Sequence, residues 1–115
     1  MNKKFKNIDF QKIEDMVEDD LDFKNQLLEA IEIAVTELEA TYLRGIEERS
    51  LSLIKQARHK IKPTLGLFDL ERLGVTLGNG KRLMTEEGFS EGIDAHIKEF
   101  REAVQAVLEE VKTYR

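Results

Sequence analysis

The sequence predicts an all-α protein, folded as an antiparallel up-down four-helix bundle with a short additional N-terminal helix. Apolar residues recur at alternating spacings of three and four along much of the chain, as they do on one face of a helix. Charged residues make up 36% of the 115 residues, and there is only one proline. A chain of this length supports one hydrophobic core, so we expect a single domain over residues 1–115.

An acidic turn separates the first two predicted helices. Asp9 can cap a short helix that ends near Val17 and turns Ile13, Met16 and Val17 inward. The acidic residues between positions 18 and 22 then mark a turn and place negative charge at the start of the next helix. That second helix is long and should end near Ile46. Its apolar stripe consists of Leu28, Ile31, Val35, Leu38 and Tyr42.

The third predicted helix contains the only proline. Ser50 is a natural N-cap, and the inward positions that follow it keep one register through Pro63 without a slip. A proline inside a helix removes a backbone donor and costs about 3 kcal/mol. Because a clean break would have no reason to preserve the register, we expect one kinked helix rather than two. Its inward residues are Leu51, Ile54, Ile61, Leu65 and Phe68.

Turn residues delimit the last two predicted helices, and short connections should make neighbouring helices antiparallel. Asp69 can cap a fourth helix, which glycines at positions 74, 78 and 80 weaken. The segment 85–92 is typical of a turn, and Ser90 can cap the last helix. We expect His96 at the edge of the last apolar stripe, with one hydrogen-bonded nitrogen. The inward residues of the two helices are Leu70, Leu73, Leu77, Ile93, Ile97, Phe100, Val104, Val107 and Val111.

The composition excludes several classes of function. The net charge of −5 disfavours binding to nucleic acids and to anionic membranes. The absence of cysteine excludes disulfides, thiolate metal ligands and cysteine nucleophiles, and two histidines are too few for us to expect a metal site. No apolar segment approaches the length of a membrane span, and "LGNGKRL" lacks the spacing of a phosphate-binding loop. We therefore expect a cytoplasmic protein without ATP-dependent kinase activity.

One face of the third helix carries the candidate chemistry. From position 51 to position 68 there is no acidic residue, and the cations present are Lys55, Arg58, Lys60 and Lys62. His59 lies roughly 130° from the centre of the apolar arc, so its ring should face solvent. Lys55 and Lys62 share its side of the helix, and Gly66 leaves that surface bare. An exposed imidazole beside cations suits a covalently held phosphoryl group, because imidazole is nucleophilic near neutral pH.

The segment "HKIKPTLGLFDLERL", residues 59–73, resembles the active-site segment of histidine-containing phosphotransfer (HPt) domains. In that motif a histidine is followed three positions later by a lysine, with small residues one and two turns further on. His59 matches the phosphorylated histidine, Lys62 the motif lysine and Gly66 a small residue. Ile61 matches an aliphatic position of the pattern. The resemblance extends to the order of the predicted helices over most of the chain.

Two positions depart from the HPt pattern. Pro63 stands where the family usually has glycine, and Asp69 stands where a glycine usually opens the following turn. Pro63 lies on the same outward half of the helix as His59, and its missing N–H leaves the His59 carbonyl without a helical donor. We expect a bend that presents the imidazole outward.

The resemblance implies a role as a phosphoryl carrier in a multistep two-component phosphorelay. His59 would accept a phosphoryl group at Nε2 from the aspartate of one receiver domain and pass it to another. The partner, a response-regulator receiver domain or a hybrid histidine kinase, would supply carboxylates and a magnesium ion, so that the carrier needs no cofactor. Lys62 would be the principal charge partner of the phosphoryl group. The secondary or docking residues would be Lys55, Arg58, Lys60, Pro63 and Gly66.

Two other readings remain open on the sequence alone. A protein of the same fold can lack transfer activity and act as an adaptor that binds a receiver, with His59 an incidental surface residue. A structural helical bundle that self-associates is the other, although we expect a monomer. Nucleic-acid binding by the basic strip is disfavoured because aromatic stacking partners do not accompany the cations.

Overall fold

The structure, a computed structural model, describes residues 7–115, so residues 1–6 of the predicted domain lie outside the described range. Within that range the chain forms five helices and no strand, which confirms the predicted all-α class. None of these helices combines the length and apolar character needed to cross a membrane. The helices are α1 (Phe10–Val17), α2 (Leu21–Glu47), α3 (Leu51–Leu67), α4 (Glu71–Glu87) and α5 (Gly92–Tyr114).

Side-chain caps begin the first three helices. The side chains of Asp9, Asp20 and Ser50 each accept a hydrogen bond from a backbone N–H of the following first turn, at 3.0, 3.0 and 3.2 Å respectively. Each bond satisfies a donor that the helix itself cannot pair. The predicted caps Asp9 and Ser50 are confirmed.

The predicted cap of α4 was wrong. Leu70 holds the N-cap position without a side-chain hydrogen bond, and Asp69 lies outside the helix with φ of 55°. The carbonyl of Asp69 instead accepts a hydrogen bond from the Glu71 N–H at 2.8 Å. Aspartate is among the non-glycine residues that best tolerate the left-handed region. Asp69 therefore turns the chain between α3 and α4 through its backbone and does not cap α4.

The predicted cap of α5 was also wrong. α4 continues to Glu87, so the connection to α5 covers only residues 88–91, and Glu91 holds the N-cap position of α5 without a side-chain bond. The Ser90 hydroxyl donates to Glu87 Oε1 at 3.3 Å and thus bonds back toward α4. The glycines of α4 do not shorten it, because several of its other residues are buried against the rest of the protein.

The core consists mainly of the predicted apolar stripes. All five stripe residues of α2 are buried, and Phe100, Val104, Val107 and Val111 of α5 are 0% exposed. Ile93 and Ile97 are only half-buried, because His96 takes the buried position at this end of α5. The expectation that His96 lies at the edge of the stripe was therefore wrong.

Two other predicted core positions, Met16 and Leu51, are exposed. Met16 is excluded because α1 buries Phe10, Ile13 and Val17 instead. Leu51 is 61% exposed as the first residue of α3, whose close approach to α2 begins two residues later, where Leu53 and Ile54 lie beside Gly45 of α2. Half-buried Leu65 contributes to the core only in part.

Helix α3 runs without interruption through Pro63. The prediction of one helix instead of two is confirmed, and the bend at the proline stays a prediction. Beyond the proline the Phe68 N–H still donates to the Thr64 carbonyl, at 3.2 Å. Pro63 is exposed, so its ring displaces nothing from the core.

The four longer helices contact one another in a closed order. α2 packs against α3 and α5, and α4 packs against α3 and α5, while α1 packs against α2. Each of the four longer helices therefore has two neighbours among the other three. This order places α3 and α4 side by side, with one face of each available to form a shared surface.

Candidate functional site

His59 lies on the exposed face of α3, as the sequence predicted. Within residues 7–115 its ring makes no hydrogen bond and no ion pair. The neighbouring positions Ala57 and Ile61 are buried, so they direct the helix face that carries His59 away from the core. A ring nitrogen of His59 is therefore free to act as a nucleophile.

His59 lies at a groove between α3 and α4 with a volume of about 250 Å³. Four cations and no acidic residue are among the side chains that line it. Its apolar lining comes from one leucine on each helix, and two glycines of α4 contribute no side chain. The lining residues are Lys55, Arg58, His59, Lys62, Leu65, Gly74, Leu77, Gly78 and Lys81.

The structure brings Lys55, Arg58 and Lys62 to the same groove as His59. These positions lie four before, one before and three after the histidine, and they follow the helical repeat along one side of α3. An anion beside His59 is therefore close to several positive charges of one helix, and the absence of carboxylates along the groove leaves those charges uncompensated.

The structure does not bring Lys60 to this groove. Its Nζ lies 3.1 Å from Glu37 Oε1 of α2, on the opposite side of α3. Both side chains are largely exposed, so the ion pair contributes little to stability. Lys60 and Glu37 instead line a second groove, between α2 and α3, of about 430 Å³. The four-cation strip predicted from sequence is thus divided between two sides of the helix.

Pro63 and Gly66 are exposed and do not line the groove. A Cβ atom added at Gly66 would meet no other atom within 4 Å. Packing within this chain therefore does not require glycine at position 66, although glycine inside a helix costs up to about 1 kcal/mol relative to alanine. The bare surface at Gly66 is available to another molecule.

Helix α4 contributes residues that the sequence reasoning missed. Lys81 supplies a cation from the second wall of the groove, and Gly74 and Gly78 lie along the same wall. A Cβ at Gly78 would meet nothing within 4 Å, and one at Gly74 would reach only Leu65 Cδ1, at 3.9 Å. The signal was their spacing of four and then three, which places all three on one face of α4. The glycines had been interpreted only as residues that weaken the helix.

A buried polar pair lies at the junction of the helices. The Tyr42 hydroxyl of α2 and Nε2 of His96 of α5 are hydrogen-bonded at 2.7 Å. Gly80 of α4 packs directly on them, because a Cβ there would overlap both the hydroxyl and the imidazole. The expectation that His96 has one hydrogen-bonded nitrogen agrees with this geometry.

Burial controls the protonation of the pair. Burial raises the pKa of Tyr42 to about 12, opposed by the positive charge of Arg58. Burial also lowers the pKa of His96 below its usual 6.5, and the charge of Glu99 opposes that shift. Both rings are therefore neutral at neutral pH. Arg58 lines the groove of His59 and also acts electrostatically on Tyr42, so it lies between the groove and the buried pair.

Among residues 7–115, no group of three or more histidine, aspartate or glutamate side chains is arranged to hold a metal ion. Comparison of the chain with protein-family models, with curated proteins and with solved structures found no match. A function for this protein therefore has to be argued from the groove itself and from the motif that contains His59.

Proposed function

We propose that the protein is a histidine phosphotransfer carrier that moves a phosphoryl group between receiver-domain aspartates in a multistep two-component phosphorelay. The observation that carries the proposal is the exposed, unbonded ring of His59 at a groove lined by cations and free of carboxylates. The resemblance of residues 59–73 to the HPt motif supports it. The protein itself would be a carrier and not an enzyme.

The chemistry requires little from the carrier besides the imidazole. The Nε2 lone pair of neutral His59 attacks the phosphorus of the partner's aspartyl phosphate, the phosphorus–oxygen bond breaks, and the carboxylate leaves with the electron pair. The Nδ1 proton stays on the ring, so no separate general base is needed. Lys62 and Lys55 offset the negative charge of the phosphoryl group. The reverse sequence transfers the group to the next aspartate.

The partner would be the receiver domain of a response regulator or of a hybrid histidine kinase, and it would bring the carboxylates and the magnesium ion. A receiver pocket rich in carboxylates is complementary to the cations of the groove. Gly66, one face-turn away from His59, would leave space for the partner's surface. The carrier would be a cytoplasmic monomer, since a transient interface of modest area suffices for transfer.

The proposed architecture is the antiparallel up-down four-helix bundle with α1 as the additional helix. The closed order of contacts among α2, α3, α4 and α5 supports it. The connections between these helices cover only residues 48–50, 68–70 and 88–91, and short connections favour antiparallel neighbours. In this architecture His59 stands near the middle of one long helix, on the outer surface of the bundle.

Incubation with a panel of phosphorylated receivers tests the proposal. We expect the wild-type chain to acquire an acid-labile, base-stable phosphate and His59→Gln to acquire none, while Lys98→Gln, which changes an exposed cation of α5, is labelled like wild type. Receiver binding without labelling of the wild-type chain would overturn the carrier role in favour of an adaptor. Concentration-dependent self-association in sedimentation, without receiver binding, would favour a structural bundle.

A further inference from the structure

The groove at His59 presents positive charge from both of its walls. Lys55 and Lys62 belong to α3, and Lys81 belongs to α4. A phosphoryl group beside His59 therefore lies between cations that this chain supplies on its own. Its charge can be offset before any partner arrives, which a single helix face with cations on one side would do less well.

The size of the groove suits a very small ligand. Its volume of about 250 Å³ corresponds to about eight water molecules at liquid density. Pockets for drug-sized molecules begin at about 300 Å³. Gly74 and Gly78 keep the α4 wall free of side chains opposite His59. A donor with a handful of non-hydrogen atoms can enter the groove and reach the ring, together with its hydration water.

Only one of the two histidines of the chain is accessible to such a donor. His96 is 4% exposed, and its Nε2 is hydrogen-bonded to the Tyr42 hydroxyl. His59 is exposed and has no hydrogen-bond partner within residues 7–115. Reaction with a small electrophilic phosphorus compound should therefore be confined to His59.

We infer, on the basis of the proposed role of His59 as a phosphoacceptor, that small anionic phosphoryl donors of the phosphoramidate class bind in this groove and phosphorylate His59 without a protein donor. The Nε2 lone pair attacks the phosphorus, and the phosphorus–nitrogen bond of the donor breaks. Ammonia leaves with the electron pair of that bond, and Nδ1 keeps its proton. One bond forms, one breaks, and no oxidant or reductant takes part. The cations hold the donor by its phosphoryl oxygens.

Phosphoramidate itself is the probe, and the intact mass of the protein follows its reaction over time. The rate for the wild-type chain should saturate with phosphoramidate concentration and exceed the rate for N-acetylhistidine by at least about fivefold, as expected for charge-assisted binding beside the nucleophile. His59→Gln should gain no phosphoryl group. Lys81→Gln should lose most of the advantage over N-acetylhistidine, whereas the matched variant Lys98→Gln on α5 should keep it. Circular dichroism checks that each variant remains folded.

A rate that rises linearly with concentration, equals that of N-acetylhistidine and is unchanged in Lys81→Gln would overturn direct loading. Parallel reactions with phosphorylated receivers separate this result from the fate of the relay. Labelling by a receiver together with an unaccelerated phosphoramidate reaction removes direct loading and leaves the carrier role. Saturable labelling by phosphoramidate with no transfer to or from any receiver supports direct loading and removes the relay.

Discussion

Tyr42 and His96 are joined by a buried hydrogen bond of 2.7 Å that connects α2 to α5, and Gly80 of α4 is packed against both of its atoms. Arg58 of α3 is close enough to act on the Tyr42 hydroxyl electrostatically. One polar pair thus has a neighbour on each of the four longer helices. Because α3 and α4 form the walls of the groove at His59, their packing around this pair also determines the spacing of the candidate site.

The glycine at position 80 should be indispensable for this packing. Gly80→Ala places a methyl group onto the buried pair, and we expect it to lower the free energy of unfolding by about 1–3 kcal/mol as the helices move apart. Gly78→Ala, on the same helix, enters open space and should raise the free energy of unfolding by about 0.5–1 kcal/mol through helix propensity. Urea denaturation of both variants measures the contrast. Equal effects of the two substitutions would contradict the packing at Gly80.

Stability should also depend on pH through the same pair. Because burial lowers the pKa of His96 below 6.5, the unfolded chain takes up a proton at that position before the folded chain does, so stability should fall as pH falls below about 6.5. At the alkaline end the pKa of Tyr42 is raised from 10.0 to about 12, so stability should fall as pH rises through that interval. Melting temperatures across pH measure both arms.

A variant without the titrating ring isolates the acid arm. His96→Gln keeps a polar group toward Tyr42 but does not titrate, and its stability should change less than that of the wild type between pH 7 and pH 5. The carboxyl groups of the chain titrate below this interval for the most part and are common to both proteins. An identical acid slope in wild type and His96→Gln would show that His96 does not control it.

The sequence was informative wherever one helix decides the outcome by itself. The stripe of α2, the caps Asp9 and Ser50 and the outward direction of His59 all follow from the periodicity of a single segment, and all agree with the structure. The caps assigned to Asp69 and Ser90 failed because the helix boundaries there depend on turn conformation and on tertiary contacts.

Relations between helices could not be read from one segment. Lys60 is directed toward α2 by Glu37, and Lys81 reaches the groove only because α4 packs beside α3. Likewise, the burial of His96 depends on Tyr42, which lies far away in the sequence. Periodicity gives the face on which a residue lies, whereas the neighbour that covers the face is determined by the packing of the whole chain.

The division of the cations predicts unequal effects on receiver transfer. Lys62→Gln removes a groove cation and should slow transfer by about tenfold, the equivalent of about 1.4 kcal/mol and near the lower end for a hydrogen bond to a charged group. Lys60→Gln should change the rate by less than about twofold, because this side chain pairs with Glu37 on the opposite side of α3. Stopped-flow or rapid-quench transfer from a phosphorylated receiver measures both. A larger loss in Lys60→Gln than in Lys62→Gln would contradict the assignment of the groove as the site.

The open surface at Gly66 provides a test of docking that leaves the chemistry intact. Gly66→Phe should fold normally, since a side chain there meets nothing in this chain, and helix propensity improves relative to glycine. A bulky ring beside the groove should nevertheless obstruct a protein partner, so transfer from a phosphorylated receiver should fall by at least about tenfold, a loss of roughly 1.4 kcal/mol of docking free energy. Phosphorylation of His59 by phosphoramidate should change little, because the substitution lies outside the groove lining. Lys98→Phe, an equal addition of bulk on α5, should leave both reactions unaffected, and a parallel loss of both reactions in Gly66→Phe would show that the residue acts on His59 and not on the partner.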